Sequence, residues 1–433
     1  MTIQIPTPNQ DLNKDTYSEF FRTMGAYLGV SVKLLFDSKE SVYRFLWKDK
    51  ELVIAYISLH DAYPDSWVKL SYERDGYDYI YLSTSKENPV NGSVFHGDII
   101  LPALYSFSLF EERQFLHRDT FGLVEGKNSY RAKWGMIIEP LFENVSIIIS
   151  DRLGISRKSI WGSKQYAIGA SFDIDSLETD HLCSVIEYIL ESGVEKPTFF
   201  IYGGCDDSRT IRDPEYDIAK EEYTQKISVL KEYPVEIGLH GSYLSHDKVE
   251  LMYAQKKNIE THTGQVLNGY RSHYLRFAYP RTWITEHLCG LNYDATLGYP
   301  DTYGLRSAIS IPYYFSYPDA FAEKHFVIPT ALLDQHFFWP EPIDISAQKT
   351  ILNRVLNRIA RVNGCFTIDY HTYTYENLSF SGWWNSYRFL IEKAKNDNAF
   401  IGGLGCIKEL YDKHRNGITG TEKAYSVIHE TGI

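Results

Sequence analysis

From about Ala167 onward, short apolar runs alternate with amphipathic stretches of helical length, and this alternation restricts the fold more than any other feature of the chain. YAIGASFDID reads as a strand, DHLCSVIEYILESG as a helix with apolar residues at 182, 185, 186, 189 and 190, and PTFFIYGG as a second strand. A charged helix (DIAKEEYTQKISVLKEY), the strand VEIGLH, a helix capped by Ser245 or Asp247, and a strand within GYRSHYLRFAY follow. FVIPTALL, the helix SAQKTILNRVLNRIARVNG, the strand CFTIDYH, a helix around WWNSYRFLIEKAK and the strand FIGGLG complete the series. Roughly seven βα units predict an α/β protein with a distorted (β/α) barrel rather than an open sheet.

A chain of 433 residues exceeds the usual single core, so two parts are expected. Residues 1–160 carry short aromatic-rich runs divided by Pro, Asn and Gly turns, and predict an α+β N-terminal domain without an evident reaction centre. Residues 161–415 hold the barrel, and 416–433 form a polar tail expected to be mobile. With no linker of low complexity between them, the two parts are expected to pack tightly. The 34 tyrosines are a bias common where proteins contact sugars, although tyrosine also fills cores. A net charge of −12 argues against nucleic acid or an anionic membrane as partner. No stretch approaches a membrane span and the N-terminus lacks a signal pattern, which predicts a cytoplasmic protein. Five scattered cysteines, Cys183, Cys205, Cys289, Cys365 and Cys406, read as reduced thiols.

In β/α barrels the chemistry sits at the C-terminal ends of the strands. Asp173 and Asp175, His240, Arg271 with His273, and His371 all fall at or near predicted strand ends. SFDIDS places two carboxylates on one face of a strand, where their repulsion needs a cation or a shared proton. With His240 and His273 on neighbouring strands, a divalent metal is the simplest source of that relief. Each residue also has a plain structural reading: an Asp-rich turn, a satisfied core histidine, an ion-paired arginine. Convergence of four segments on one face favours a reaction centre.

Over roughly residues 165 to 410 these motifs resemble the polysaccharide deacetylases of the NodB-homology type, carbohydrate esterase family 4. SFDIDS is similar to the family's Asp pair, which implies Asp173 as catalytic base and Asp175 as metal ligand. PTFFIYGG resembles its second strand. EIGLHGSYLSH resembles its histidine motif and implies His240 as a ligand. RSHY resembles R-x-P-Y/F, giving Arg271 as the residue that orients the base and the Tyr274 N–H as an oxyanion donor. CFTIDYH resembles the final strand and implies His371 as general acid. Two departures stand out: Leu244 occupies the place of the family's second metal histidine, and His273 replaces a proline. GYRSHYLRF and LNYDATLGYPDTYGLRS resemble a branch found with surface-polysaccharide biosynthesis genes, and the N-terminal half resembles the uncharacterised domain preceding the barrel there.

The expected function is therefore a metal-dependent amide hydrolase that removes an N-acetyl or similar small acyl group from an amino sugar, free, nucleotide-linked or lipid-linked. One divalent ion, expected to be zinc, is held by Asp175, His240 and His273, the last replacing the missing i+4 histidine from the next strand. His246 lies beyond a glycine turn, where it is expected to face solvent or cap a helix, and it is the alternative to His273 as third ligand. The alternatives are a non-catalytic carbohydrate-binding barrel with a degenerate metal site, and a glycosidase using Asp173 and Asp175. The carboxylates' placement on one side of a bond argues against the glycosidase.

Overall fold

The computed structural model describes residues 1–419 except 7–11, 38–40, 58–63, 86–92, 115–117, 121, 178–180, 205–208, 317–323 and 340. The N-terminal half contains β1 (Thr2–Pro6), β2 (Lys33–Asp37), β3 (Val42–Trp47), β4 (Lys50–Ala55), β5 (Val68–Arg74), β6 (Tyr77–Ser83) and β7 (Val94–Phe95). Five of these form a sheet in the order β2-β1-β3-β4-β7, and β5 pairs with β6 alone. The β5–β6 hairpin turns through Asp75 and Gly76, both at positive φ, as a two-residue loop requires. The helix Lys14–Leu28 is capped by Asn13, whose side chain accepts from the Thr16 N–H at 2.9 Å.

The second sheet is built from β8 (Ala167–Ile174), β9 (Thr198–Tyr202), β10 (Glu236–Gly241), β11 (Gly269–Ser272), β12 (Tyr293–Asp294), β13 (Tyr313–Ser316), β14 (Lys324–Val327), β15 (Thr330–Leu333), β16 (Cys365–His371) and β17 (Phe400–Gly402). Its order is β13-β14-β12-β11-β10-β9-β8-β16-β15, with β17 beside the first half of β8. All pairings are parallel except β13 with β14. β14 pairs with β12 while β15, two residues later, pairs with β16, so the run 324–333 passes from one side of the curled sheet to the other.

FVIPTALL, expected as one strand, is thus split in two. Pro329 lies at the break and has no N–H to give to a ladder. The flanking N–H groups keep their partners, Ile328 donating to the Asp294 carbonyl at 2.9 Å and Thr330 to Leu297 at 3.1 Å. β8 and β16 are buried along their whole lengths, as strands covered on both faces must be. The helix expected over 217–233 is shorter, Glu221–Ser228 followed by a 3₁₀ turn. The final helix, Leu404–Thr419, runs past Asn416, and the rest of the expected tail lies outside the described residues.

The halves touch closely. Tyr27 Oη donates to the Val362 carbonyl at 2.6 Å, and Glu143 accepts from Ser310 N, Ser310 Oγ and Ile311 N. One apolar cluster runs through both, from Phe20 and Phe142 to Tyr313 and Phe326. The described cysteines, Cys183, Cys289, Cys365 and Cys406, are free thiols, and Cys205 lies outside the described residues. No described helix is long and apolar enough to cross a membrane.

Candidate active site

Parallel register fixes which side chains meet. Asp173 on β8 stands level with His371 on β16, and His240 on β10 stands level with Arg271 on β11. Asp175 and His273 each lie just past the ends of their strands. The residues expected from sequence are therefore brought together at the C-terminal mouth of the barrel. A cavity of about 130 Å³ opens over them, lined among others by Asp173, Asp175, His273, Tyr274, His371 and Tyr373.

Asp175, His240 and His273 offer ligand atoms within 4.8 Å of one another. His240 Nε2 is 3.2 Å from Asp175 Oδ1, and His273 Nε2 is 3.5 Å from Asp175 Oδ2. The other nitrogen of His240, Nδ1, donates to the Arg271 carbonyl at 3.2 Å, which in a neutral ring leaves Nε2 as a lone pair. That lone pair and Asp175 Oδ1 face each other, both buried and neither hydrogen-bonded. Two acceptors in such contact repel unless a cation lies between them. One carboxylate and two imidazoles suit a divalent ion such as zinc.

A second cluster, Asp173, Asp369 and His371, meets the same distance criterion. It already contains a fixed cation. Arg271 Nη1 donates to Asp173 Oδ1 at 2.8 Å and lies 2.8 Å from Asp369 Oδ1. Nη2 donates to Ser171 Oγ at 2.6 Å, and the guanidinium packs 4.5 Å from the centre of the Phe200 ring. The Asp175 group is therefore the better fit to a metal.

Charge states follow from this packing. Burial opposes ionisation of Asp173, but Arg271 outweighs it and, with His371, holds the carboxyl below the usual range. Asp369 goes the other way: burial, reinforced by the Asp173 charge, lifts its carboxyl well above the usual range despite Arg271. Asp175 overcomes burial chiefly through His273 and is held well below the usual range. His273, buried yet facing Asp175 and Asp213, is lifted to about 9. His371 is likewise buried, and Asp334 lifts it well above the ordinary imidazole value.

Asp334 engages His371 with both oxygens, accepting from Nδ1 at 2.8 Å and from the backbone N–H at 2.9 Å. This aims His371 Nε2 into the mouth, 3.5 Å from Asp175 Oδ2. Asp213 Oδ1 lies 3.7 Å from His273 Nδ1 and is itself fixed by the Tyr243 N–H at 2.6 Å. Asp334, Asp369 and Asp213 were not anticipated. Asp334 follows the strand run FVIPTALL, so the strand-end rule reaches it; Asp369 shares a strand face with His371; Asp213 sits in a loop with no comparable signal.

Tyr274 stands at the lip, 46% exposed, with its backbone in the left-handed region at φ 60°. His246 departs from expectation. It is buried, in a 3₁₀ turn, rather than facing solvent, and burial pushes its imidazole down to about 4. Its Nε2 lies 3.9 Å from Asp247 Oδ1, and it belongs to neither candidate ligand group.

No protein-family profile and no curated protein matches the chain. Solved structures do. A protein from Mycobacterium smegmatis described as a polysaccharide deacetylase is similar at 17% identity and a TM-score of 0.43, over 61% of this chain and 94% of that one. Peptidoglycan deacetylase PdaC from Bacillus subtilis is similar at 12% identity and 0.34, over 60% and 98%. BA3943 from Bacillus anthracis, a CE4 family pseudoenzyme, is similar at 14% identity and 0.34, over 58% and 66%.

Proposed function

We propose that this chain is a metal-dependent carbohydrate deacetylase of the NodB type, removing an N-acetyl or similar small acyl group from an amino sugar in surface-polysaccharide biosynthesis in the cytoplasm. The observation that carries this reading is the pair of facing acceptors, His240 Nε2 and Asp175 Oδ1, buried 3.2 Å apart beside His273. Residues 161–415 form the unit that holds the reaction.

Asp175, His240 and His273 would hold a divalent ion, which when bound would supply Lewis acidity and a more acidic water. Asp173, kept ionised by Arg271, accepts the proton of the attacking water. The Tyr274 N–H donates to the oxygen of the tetrahedral centre. His371, held as an imidazolium by Asp334, gives its Nε2 proton to the departing amine. The cavity of 130 Å³, about four water volumes, matches a small acyl group with the sugar left outside.

Acetate release from N-acetylated amino sugars, measured with zinc present and after chelation, tests the reading. A binding barrel without catalysis releases no acetate in either state.

A further inference from the structure

We infer that the N-terminal half is a working part of this active site: it clamps the barrel loop 297–306, and that loop holds the turn carrying Asp334, the partner of His371. The inference rests on the reading of His371 as the donor to the leaving amine.

On one side, the loop is tied to the N-terminal half by polar contacts, those of Arg131 and Arg306 buried. Asp301 accepts from the N–H groups of Gly126 at 2.7 Å and Lys127 at 3.2 Å. Arg131 Nη2 donates to the carbonyls of Leu305 and Arg306 and lies 3.3 Å from Tyr299 Oη. Arg306 donates from Nε to Glu112 Oε2 at 2.8 Å and from Nη1 to the Gly298 carbonyl at 2.8 Å. Arg131, Arg306 and Glu112 are each at least 90% buried, so water cannot replace these bonds if the loop shifts. The fit is also tight: a Cβ at Gly126 would stand 2.5 Å from Tyr299 Cγ.

On the other side, the same loop holds the catalytic turn. His336 Nε2 donates to the Tyr299 carbonyl at 3.0 Å, and Gln335 Nε2 donates to Pro300 at 3.2 Å. Both belong to the 3₁₀ turn Asp334–Phe337, which His336 Nδ1 closes by accepting from Leu333 N at 3.1 Å. Asp334 at the head of that turn grips His371. Tyr299 and Pro300 are thus clamped by the N-terminal half and clamp the turn in their own right. A displacement of about 1 Å at a proton donor costs on the order of 10²-fold in rate. Arg131 and Asp301 are accordingly positioning residues.

The test uses the full-length chain with Arg131→Met and, as the milder change at an exposed side chain, Asp301→Ala. Two probes separate positioning of the acid from general damage: an N-acetylglucosamine oligosaccharide, whose leaving amine needs a proton, and 4-nitrophenyl acetate, whose phenolate does not. The expected result is a fall in kcat on the amide of about tenfold or more for Arg131→Met and less for Asp301→Ala. KM, bound zinc and ester hydrolysis should stay within about threefold of wild type. Parallel loss of both activities, or unchanged amide turnover in Arg131→Met, overturns the inference. Wild-type protein that hydrolyses the ester but releases no acetate from any amide overturns the deacetylase reading instead.

Discussion

His240 Nε2 faces Asp175 Oδ1 at 3.2 Å while its other ring nitrogen is committed to the Arg271 carbonyl. The ring is therefore oriented by the neighbouring strand, as metal-binding histidines are by their outer partners. His273, where the resembled family has a proline, reaches the other oxygen of the same carboxylate, Oδ2 at 3.5 Å, so the three side chains make a candidate ligand set.

Substitution should separate the two candidate third ligands. His273→Ala is expected to deplete bound metal and activity together. His246→Ala should leave both within a few-fold, while costing stability because a buried ring is lost. Metal analysis of the purified variants checks this, and the opposite pattern would make HGSYLSH a stretched histidine pair.

Asp173→Asn should abolish hydrolysis with metal content nearly intact, whereas Asp175→Asn should lose both. The Asp173 variant is expected to remain folded, because Asp369 lies 2.8 Å from the same Arg271 nitrogen and is free to ionise once the Asp173 charge is gone. Near wild-type turnover in Asp173→Asn contradicts the assignment of the base.

Much of this site was legible because strand ends are legible. Apolar runs that stop at SFDID, EIGLH, YRSH and IDYH place their last polar residues at the barrel mouth, and parallel register does the rest. What was not legible depends on backbone outside regular strands. The glycine turn after His240 does not reveal that the following 3₁₀ turn folds His246 inward. Pro329 breaks FVIPTALL into two strands, which the apolar pattern alone conceals. Asp213 reaches His273 from a loop, where neither periodicity nor register points a side chain.

His371→Ala should lower turnover by about 10²–10⁴-fold without releasing metal or unfolding the barrel. Asp334→Asn should lower it less, since the ring survives but loses its anchoring charge. Steady-state kinetics with thermal unfolding checks both, and a large loss of stability in His371→Ala favours a core histidine.

Acid should destabilise the fold through His336. Burial pushes this imidazole down to about 4 from an ordinary 6.5, and its nitrogens are fixed as one acceptor and one donor. Between those values the unfolded chain binds the extra proton and the native state does not, so stability is full above pH 6.5 and falls as pH drops toward 4. The contribution is on the order of 3 kcal/mol. Denaturant unfolding across this range should show a shallower pH dependence in His336→Gln; an unchanged slope would exclude the residue as the source.

Adding zinc in substoichiometric steps to chelator-stripped protein, with acetate release from an N-acetylated amino sugar measured at each step, asks most directly whether Asp175, His240 and His273 hold a catalytic ion. The expected result is release that rises in proportion to bound metal and levels off at one ion per chain, and that stays at background in His273→Ala. Full release from the stripped protein, or none with one ion bound, would contradict it.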